Sequence, residues 1–279
     1  MPDQSYTIRS NAKINLCLRI TGQLPNGYHT LSSVFQEIDL YDTLIFTPSD
    51  TYSICCDNAG IPCGDSNLCS RAYRELKQLA SRSTDWHIQL QKNIPVGAGL
   101  GGGSSNAAAV INFLNEHWEL KLSESELIRV AARIGADVAF YINGKTQGAE
   151  GIGDKLQSLT LPESFTLLLV CPTIHISTKW AYQQFNLINK KEGYKFGDLF
   201  ESGMIHWELF ENKFESVVFP TYPEIGKIKN LLQDEGALYA GLSGSGSTVF
   251  GAFKNRYDAE HAQKQFKNHT TFISFPINN

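Results

Sequence analysis

Pro95-Val96-Gly97-Ala98-Gly99-Leu100-Gly101-Gly102-Gly103-Ser104-Ser105-Asn106-Ala107-Ala108-Ala109 puts five glycines into the seven residues 97–103, directly ahead of an apolar helical pattern. Glycine has no Cβ, so its backbone can take positive φ and approach a ligand closely, and successive N–H groups can converge on one anion. A helix opened by Ser104 and Ser105 adds its unpaired first-turn N–H groups and the positive end of its dipole. Upstream, Trp86, Ile88 and Leu90 alternate with polar residues, so the order is strand, glycine loop, helix. The stretch from Pro95 to Ser105 therefore reads as a phosphate cradle, and the hydroxyl of Ser104 or Ser105 is a candidate ligand for Mg²⁺. No Gly-Lys-Ser/Thr ends the run, which excludes a Walker A loop. Nor does an acidic residue close a following strand about 20 residues on, as a dinucleotide fingerprint requires. A flexible linker is the plain alternative, but linkers seldom run straight into an amphipathic helix.

At 279 residues the chain suits two domains or one large one. Apolar residues at 42% and charged residues at 19% describe an ordinary globular protein. A net charge of −4, with no lysine or arginine cluster, disfavours nucleic-acid partners. No apolar run approaches the roughly 18 residues of a membrane span, and the start of the chain lacks a basic segment followed by an apolar one. The expectation is a cytoplasmic protein with no membrane partner. Cysteines 17, 55, 56, 63, 69 and 171 form no Cys-x-x-Cys pair, most sit in strand-like segments, and they read as buried thiols in a reducing compartment. The histidines are scattered, with no i, i+4 helical pair to support a zinc site.

Along residues 6–20, Ile8, Ala12, Ile14, Leu16, Leu18 and Ile20 face one way while Lys13, Asn15 and Arg19 face the other. Pro25-Asn26-Gly27 reverses the chain and sets Tyr28 and His29 at the exit, before another strand-like stretch over 31–40. Residues 44–47 and 52–56 continue the β character, and a helix is expected from about Ser66. After the glycine loop, Ala107 to Trp118 should be helical. Ser123-Glu124-Ser125-Glu126 is a capping box for a second helix ending at Gly135, with Asp137 directly after it. Residues 144–154 read as turns, and a domain boundary is placed at 160/161. Beyond it the pattern predicts an apolar strand at 165–171 and a helix over 178–188. A less periodic region over 192–215 follows, then a helix after Pro223, a hairpin over 237–253, a helix over 258–267 and a strand over 271–275. The class is α+β.

Three distant motifs converge: Asn11-Ala12-Lys13-Ile14-Asn15-Leu16, the glycine loop, and Leu242-Ser243-Gly244-Ser245-Gly246. Together they resemble the GHMP kinase superfamily over nearly the whole chain. Asn26-Gly27-Tyr28-His29-Thr30-Leu31 and Gly135-Ala136-Asp137-Val138 narrow the resemblance to the branch whose acceptor is a cytidine-diphosphate-linked methylerythritol, in isoprenoid precursor synthesis. The resemblance implies a two-domain fold, with an ATP-binding domain over 1–160, a second domain over 161–279 and the active site in the cleft between them. It also implies ATP as co-substrate with Mg²⁺.

Residue by residue, the same resemblance makes Asp137 the base that orients the attacking hydroxyl. Lys13 pairs with Asp137 and stabilises charge in the transition state. Phosphoryl transfer depends mainly on positioning and charge compensation, so a carboxylate and an ammonium suit it. Taken alone, Lys13 could be a solvated lysine on an exposed strand face and Asp137 a helix cap. Asn15 matches a residue that contacts the acceptor's polar groups. Tyr28 and His29 match residues that stack on cytosine and hydrogen-bond its edge. Tyr182 is the best match for a second stacking ring, with Trp180 the alternative, because Ser177-Thr178-Lys179 stands where many members have prolines. Gly244 and Ser245 match a tight turn whose backbone helps position substrate phosphates or shapes the site, a plain Gly-rich hairpin loop being the alternative. Ala98 interrupts the family's usual glycine triplet and needs a backbone conformation that tolerates a Cβ.

A homoserine or mevalonate-type kinase would share the glycine loop and lack the Tyr-His turn. A catalytically silent nucleotide-binding protein would have no need of both Lys13 and Asp137.

Overall fold

A computed structural model of the chain describes residues 4–81, 83–185 and 192–278. Two long strands open it, β1 (Tyr6–Gln23) and β2 (His29–Ser49), followed by β3 (Ser53–Cys56), α1 (Leu68–Lys77) and β4 (Asp85–Gln91). Three helices succeed one another, α2 (Gly102–His117), α3 (Glu124–Ile134) and α4 (Ala136–Asn143). Then come β5 (Thr146–Glu150), β6 (Lys155–Ser158), β7 (Thr166–Cys171), α5 (Thr178–Gln183) and α6 (Phe196–Leu199). The chain ends with α7 (Glu215–Thr221), α8 (Pro223–Asp234), β8 (Tyr239–Leu242), β9 (Val249–Phe253), α9 (Arg256–Gln263) and β10 (Thr270–Ser274).

Residues 1–12, 40–96 and 101–144 form one compact unit, and residues 13–39, 97–100 and 145–279 the other. The compact units therefore do not divide at 160/161: β1 and β2 each give one end to one unit and one end to the other. A boundary drawn along the chain cannot capture that interleaving.

In the first unit β3 runs parallel to β4, and β4 runs antiparallel to the distal half of β2, with Leu44 opposite Leu90 and Phe46 opposite Ile88. All four of these side chains are buried. Phe46 stacks on Phe113 of α2 with centroids 3.8 Å apart, and Trp86 meets Phe113 edge-on at 4.9 Å. Burying each such ring contributes about 1.5–3 kcal/mol. The Asn67 side chain caps α1 by accepting from Cys69 N–H, and the expected capping box opens α3, with Ser123 N–H donating to Glu126 Oε2 at 2.8 Å.

In the second unit β10, β7, β9 and β8 form an antiparallel sheet in that order, every residue of β7 and β9 being buried. One apolar cluster joins Leu168 and Val170 of β7, Ile225, Ile228 and Leu232 of α8, and Ala259 and Ala262 of α9. The proximal half of β2 pairs with β5, and β5 with β6, all antiparallel.

Several sequence expectations are corrected. Helix α2 starts at Gly102, with Gly101 as its cap, not at Ser104. Gly102 packs against β4's exit, where a Cβ would come within 3.0 Å of Ile94, so the absent side chain lets the helix begin early. Residues 144–154 hold strand β5 and the turn into β6, because pairing with β2 overrides their turn-prone composition. Helix α6 lies in the less periodic 192–215 stretch, and α4 and α7 lie largely in stretches to which the sequence assigned no element. Helix α5 ends at Gln183, and residues 186–188 of the expected 178–188 helix lie outside the described residues. Cys17, Cys69 and Cys171 are buried thiols as expected, but Cys55 and Cys63 are exposed. Among the described residues no helix is long and apolar enough to cross a membrane.

Candidate active site

The first unit carries Pro95, Val96, the residues 101–105 and Asp137. Val96 is 60% exposed, whereas Leu100, which belongs to the second unit, is buried. Ser104 is half-buried in the first turn of α2. Ser105 is 3% exposed and its Oγ accepts from Ser10 Oγ at 2.7 Å, so it serves the interior rather than a ligand. Among the described residues no three His, Cys, Asp or Glu side chains gather to hold a metal ion. A hydroxyl at the start of α2, such as that of Ser104, is the type of ligand Mg²⁺ accepts when phosphates and waters fill its other positions. Asp137 stands half-buried in the first turn of α4, where a carboxylate complements the helix dipole.

In the second unit the residues 97–100 dock on the 243–248 turn. Ser243 Oγ donates to Gly99 O at 2.9 Å and Thr248 N–H donates to Ala98 O at 3.2 Å. Gly99 has φ +82°, which glycine adopts freely, while Ala98 is not among the positive-φ residues, so its Cβ costs the loop nothing. Lys13 N–H donates to Leu100 O at 3.0 Å, tying β1 to the same segment. Lys13 is 4% exposed, which removes the solvated-strand reading; its Nζ donates to Asn15 Oδ1 at 2.5 Å and lies 5.0 Å from the Phe35 ring centroid. Asn15 Nδ2 in turn donates to Ser33 Oγ at 2.9 Å. A Cβ on Gly244, where φ is +57°, would sit 3.3 Å from Asn15 Oδ1. Ser245 Oγ pairs with Thr178 Oγ1 at 2.9 Å. On β1 itself, burial pushes the Cys17 thiol up to about 12, so it stays protonated and takes no nucleophilic part.

His29 lies parallel to Tyr182, with centroids 5.2 Å apart and planes 23° apart, and its Nε2 is 3.3 Å from Phe185 O. Trp180 instead meets Tyr222 edge-on at 5.7 Å. Of the two candidate rings, then, Tyr182 is the one beside His29. Tyr28, at the hairpin tip, is 64% exposed.

Asn212, Asp42, Lys92 and Asn106 were not singled out from the sequence. Asn212 is buried, and its Nδ2 donates to Leu242 O at 2.5 Å and Gly244 O at 2.8 Å, bracing the turn that carries Gly244 and Ser245. A lone asparagine in an aperiodic stretch offers no signal of this. Lys92-Asn93 just ahead of the glycine loop was a weak one.

Residues 67–145 match the N-terminal domain of the GHMP kinases and residues 195–270 their C-terminal domain. A homoserine kinase structure from Cytophaga hutchinsonii superposes with a TM-score of 0.71 at 19% identity, covering 100% of this chain and 96% of that one, which speaks to fold alone. Fold and matched regions thus define a GHMP kinase. A solved 4-(cytidine 5'-diphospho)-2C-methyl-D-erythritol kinase superposes with a TM-score of 0.85 at 26% identity, over 98% of this chain and 100% of that one. The 4-diphosphocytidyl-2-C-methyl-D-erythritol kinase of Chlorobium limicola is 46% identical over 262 residues, 92% of this chain and 91% of that protein. The chain belongs to the 4-diphosphocytidyl-2-C-methyl-D-erythritol kinase family.

Proposed function

We propose that this chain transfers the γ-phosphoryl group of ATP to the 2-hydroxyl of 4-(cytidine 5'-diphospho)-2-C-methyl-D-erythritol, giving the 2-phosphate and ADP, with Asp137 and Lys13 as its catalytic residues. Family membership carries the kinase activity, the donor and the place in non-mevalonate isoprenoid synthesis. The observation that best supports the site is the junction of Lys13, Leu100, Gly99 and Ser243, where the lysine strand and both glycine-rich segments share backbone contacts.

In this reading the hydroxyl oxygen of the acceptor attacks the γ-phosphorus, the bond to the β–γ bridging oxygen breaks, and the hydroxyl proton passes to the Asp137 carboxylate. Lys13 offsets the negative charge of the transferring group, and its bond to Asn15 fixes the direction in which the ammonium is presented. Backbone N–H groups over 97–103 and the start of α2 hold the donor's phosphates. Ser104 is the residue that would hold Mg²⁺, which would supply charge neutralisation at the phosphates. Asn15, Gly244 and Ser245 position the acceptor, and Tyr28, His29 and Tyr182 read its cytosine. Cytoplasmic residence is part of the proposal, supported by the unpaired state of the cysteines.

ADP release measured with the cytidine-diphosphate acceptor, homoserine and mevalonate in parallel tests the reading. Turnover is expected with the first alone. Turnover of homoserine or mevalonate in its place would sink it.

A further inference from the structure

A buried polar cluster in the first unit joins the chain segments that flank the glycine loop, 92–94 and 105–106. Asp42, fully buried on β2, accepts four hydrogen bonds: from Asn93 N–H at 2.8 Å and Ile94 N–H at 2.9 Å through Oδ1, and from Lys92 Nζ and, at 3.0 Å, Asn106 Nδ2 through Oδ2. Asn106 Oδ1 also accepts from Lys92 Nζ at 3.1 Å. Its amide reaches Ser10 Oγ at 2.9 Å, and Ser10 reaches Ser105 Oγ. The Lys92 and Asp42 side chains are 5% and 0% exposed.

This arrangement is an expensive way to gain stability, because desolvating two charges offsets most of their attraction and an apolar pair of equal volume often does as well. What it does supply is position. Asn93 and Ile94 are the last residues before Pro95, and Ser105 and Asn106 lie in the early turns of α2. The cluster therefore holds both chain ends of the loop against one carboxylate. A flexible, glycine-rich segment loses binding energy to ordering unless its ends are fixed beforehand.

We propose that Asp42, Lys92 and Asn106 are positioning residues that set the glycine loop for ATP, acting through the main chain at 93–94 and the start of α2 without touching the nucleotide. The inference rests on the reading of residues 95–105 as the ATP loop.

Two variants test it. Asn106→Leu removes the tie from α2 to Asp42 at similar volume. The double variant D42N/K92M removes both charges, so no uncompensated ion remains to unfold the protein, and Asn at 42 still accepts from Asn93 and Ile94. Both are expected to raise KM for ATP about tenfold, the worth of a lost charge-assisted hydrogen bond. KM for the acceptor should stay within about twofold, at temperatures where melting curves show each variant folded. A KM for ATP equal to wild type, or both KM values rising together as a general loosening would cause, overturns the proposal. Hydrogen exchange of the wild-type enzyme with a non-hydrolysable ATP analogue separates the two readings. If amides 97–105 gain no protection, the ATP-loop reading itself fails. If they are protected while the variants keep wild-type KM for ATP, only the positioning role fails.

Discussion

The carbonyl oxygen of Ser243 stands 2.2 Å from where a Cβ on Gly99 would be, and the same serine's hydroxyl bonds the Gly99 carbonyl at 2.9 Å across 144 residues of sequence. The two glycine-rich motifs are thus one piece of backbone packing, and the close approach leaves no room for any side chain. Gly99→Ala must displace main chain and hold alanine at positive φ, so we expect a loss of more than about 2 kcal/mol in urea denaturation. A displaced loop should also lower kcat/KM for ATP by about a hundredfold. Gly103→Ala is the control: its Cβ would meet only Leu68 Cδ1, at 3.8 Å, so the melting temperature should hold or rise.

Asp137 occupies the first turn of α4 without belonging to the core. Asp137→Asn should melt like the wild type, yet lose about 10²–10⁴ in kcat, the range for removing a general base. Near wild-type kcat in single-turnover assays would remove Asp137 from the mechanism.

The stacked pair His29 and Tyr182 leads to a specificity prediction. Base stacking is worth about 1–3 kcal/mol, so Tyr182→Leu should raise the acceptor's KM roughly five- to a hundredfold while KM for ATP holds. Trp180→Leu, packed on Tyr222, should leave both alone. Calorimetric titration should also favour the cytidine over the uridine form of the substrate. Equal affinities would contradict a pocket that reads the base.

Asn212 Nδ2 bridges two main-chain carbonyls, Leu242 O and Gly244 O. Asn212→Leu removes both bonds and should destabilise the protein by about 2 kcal/mol or more, measured as a lower urea midpoint at unchanged slope.

Burial divides the thiols into two classes. It pushes Cys17 and Cys69 up to about 12 and Cys171 up to about 11, while Cys55 and Cys63 are exposed. Iodoacetamide at pH 8 should therefore label Cys55 and Cys63 in the native protein, read by mass spectrometry, and reach the buried three only on unfolding. The sign for stability follows. The unfolded chain releases thiol protons from about pH 9 that the folded chain keeps until about 12, so stability falls as pH rises through that window. Labelling of Cys17 at the rate of Cys55 would mean that the native state opens readily.

Much of the fold was legible because period and punctuation act locally. The alternation over 6–20 becomes β1, the capping box at Ser123 opens α3, and Pro25-Asn26-Gly27 turns the chain with Gly27 at φ +85°. What escaped was set by partners far along the chain. Residues 146–150 are a strand because β2 lies beside them, and α2 begins at Gly102, where a Cβ would crowd Ile94 at 3.0 Å. Of the candidate site, residue types and motif order were readable, including the family resemblance. The burial of Lys13 was not, since alternation assigns its face to solvent, whereas the folded chain buries it with Asn15 and the Phe35 ring beside its ammonium.

By itself the sequence determined the α+β class and the kinase family and marked 95–105 as the candidate phosphate cradle, because these follow from residue types and short spacings that backbone chemistry reads directly. Only the tertiary structure decided which ring faces His29, which asparagine braces the 242–244 turn, and that a single buried carboxylate at 42 gathers both ends of the glycine loop. Those choices rest on hydrogen bonds and packing between residues tens to hundreds of positions apart. Their energies exist only once the chain has closed the intervening loops, and no local pattern records them.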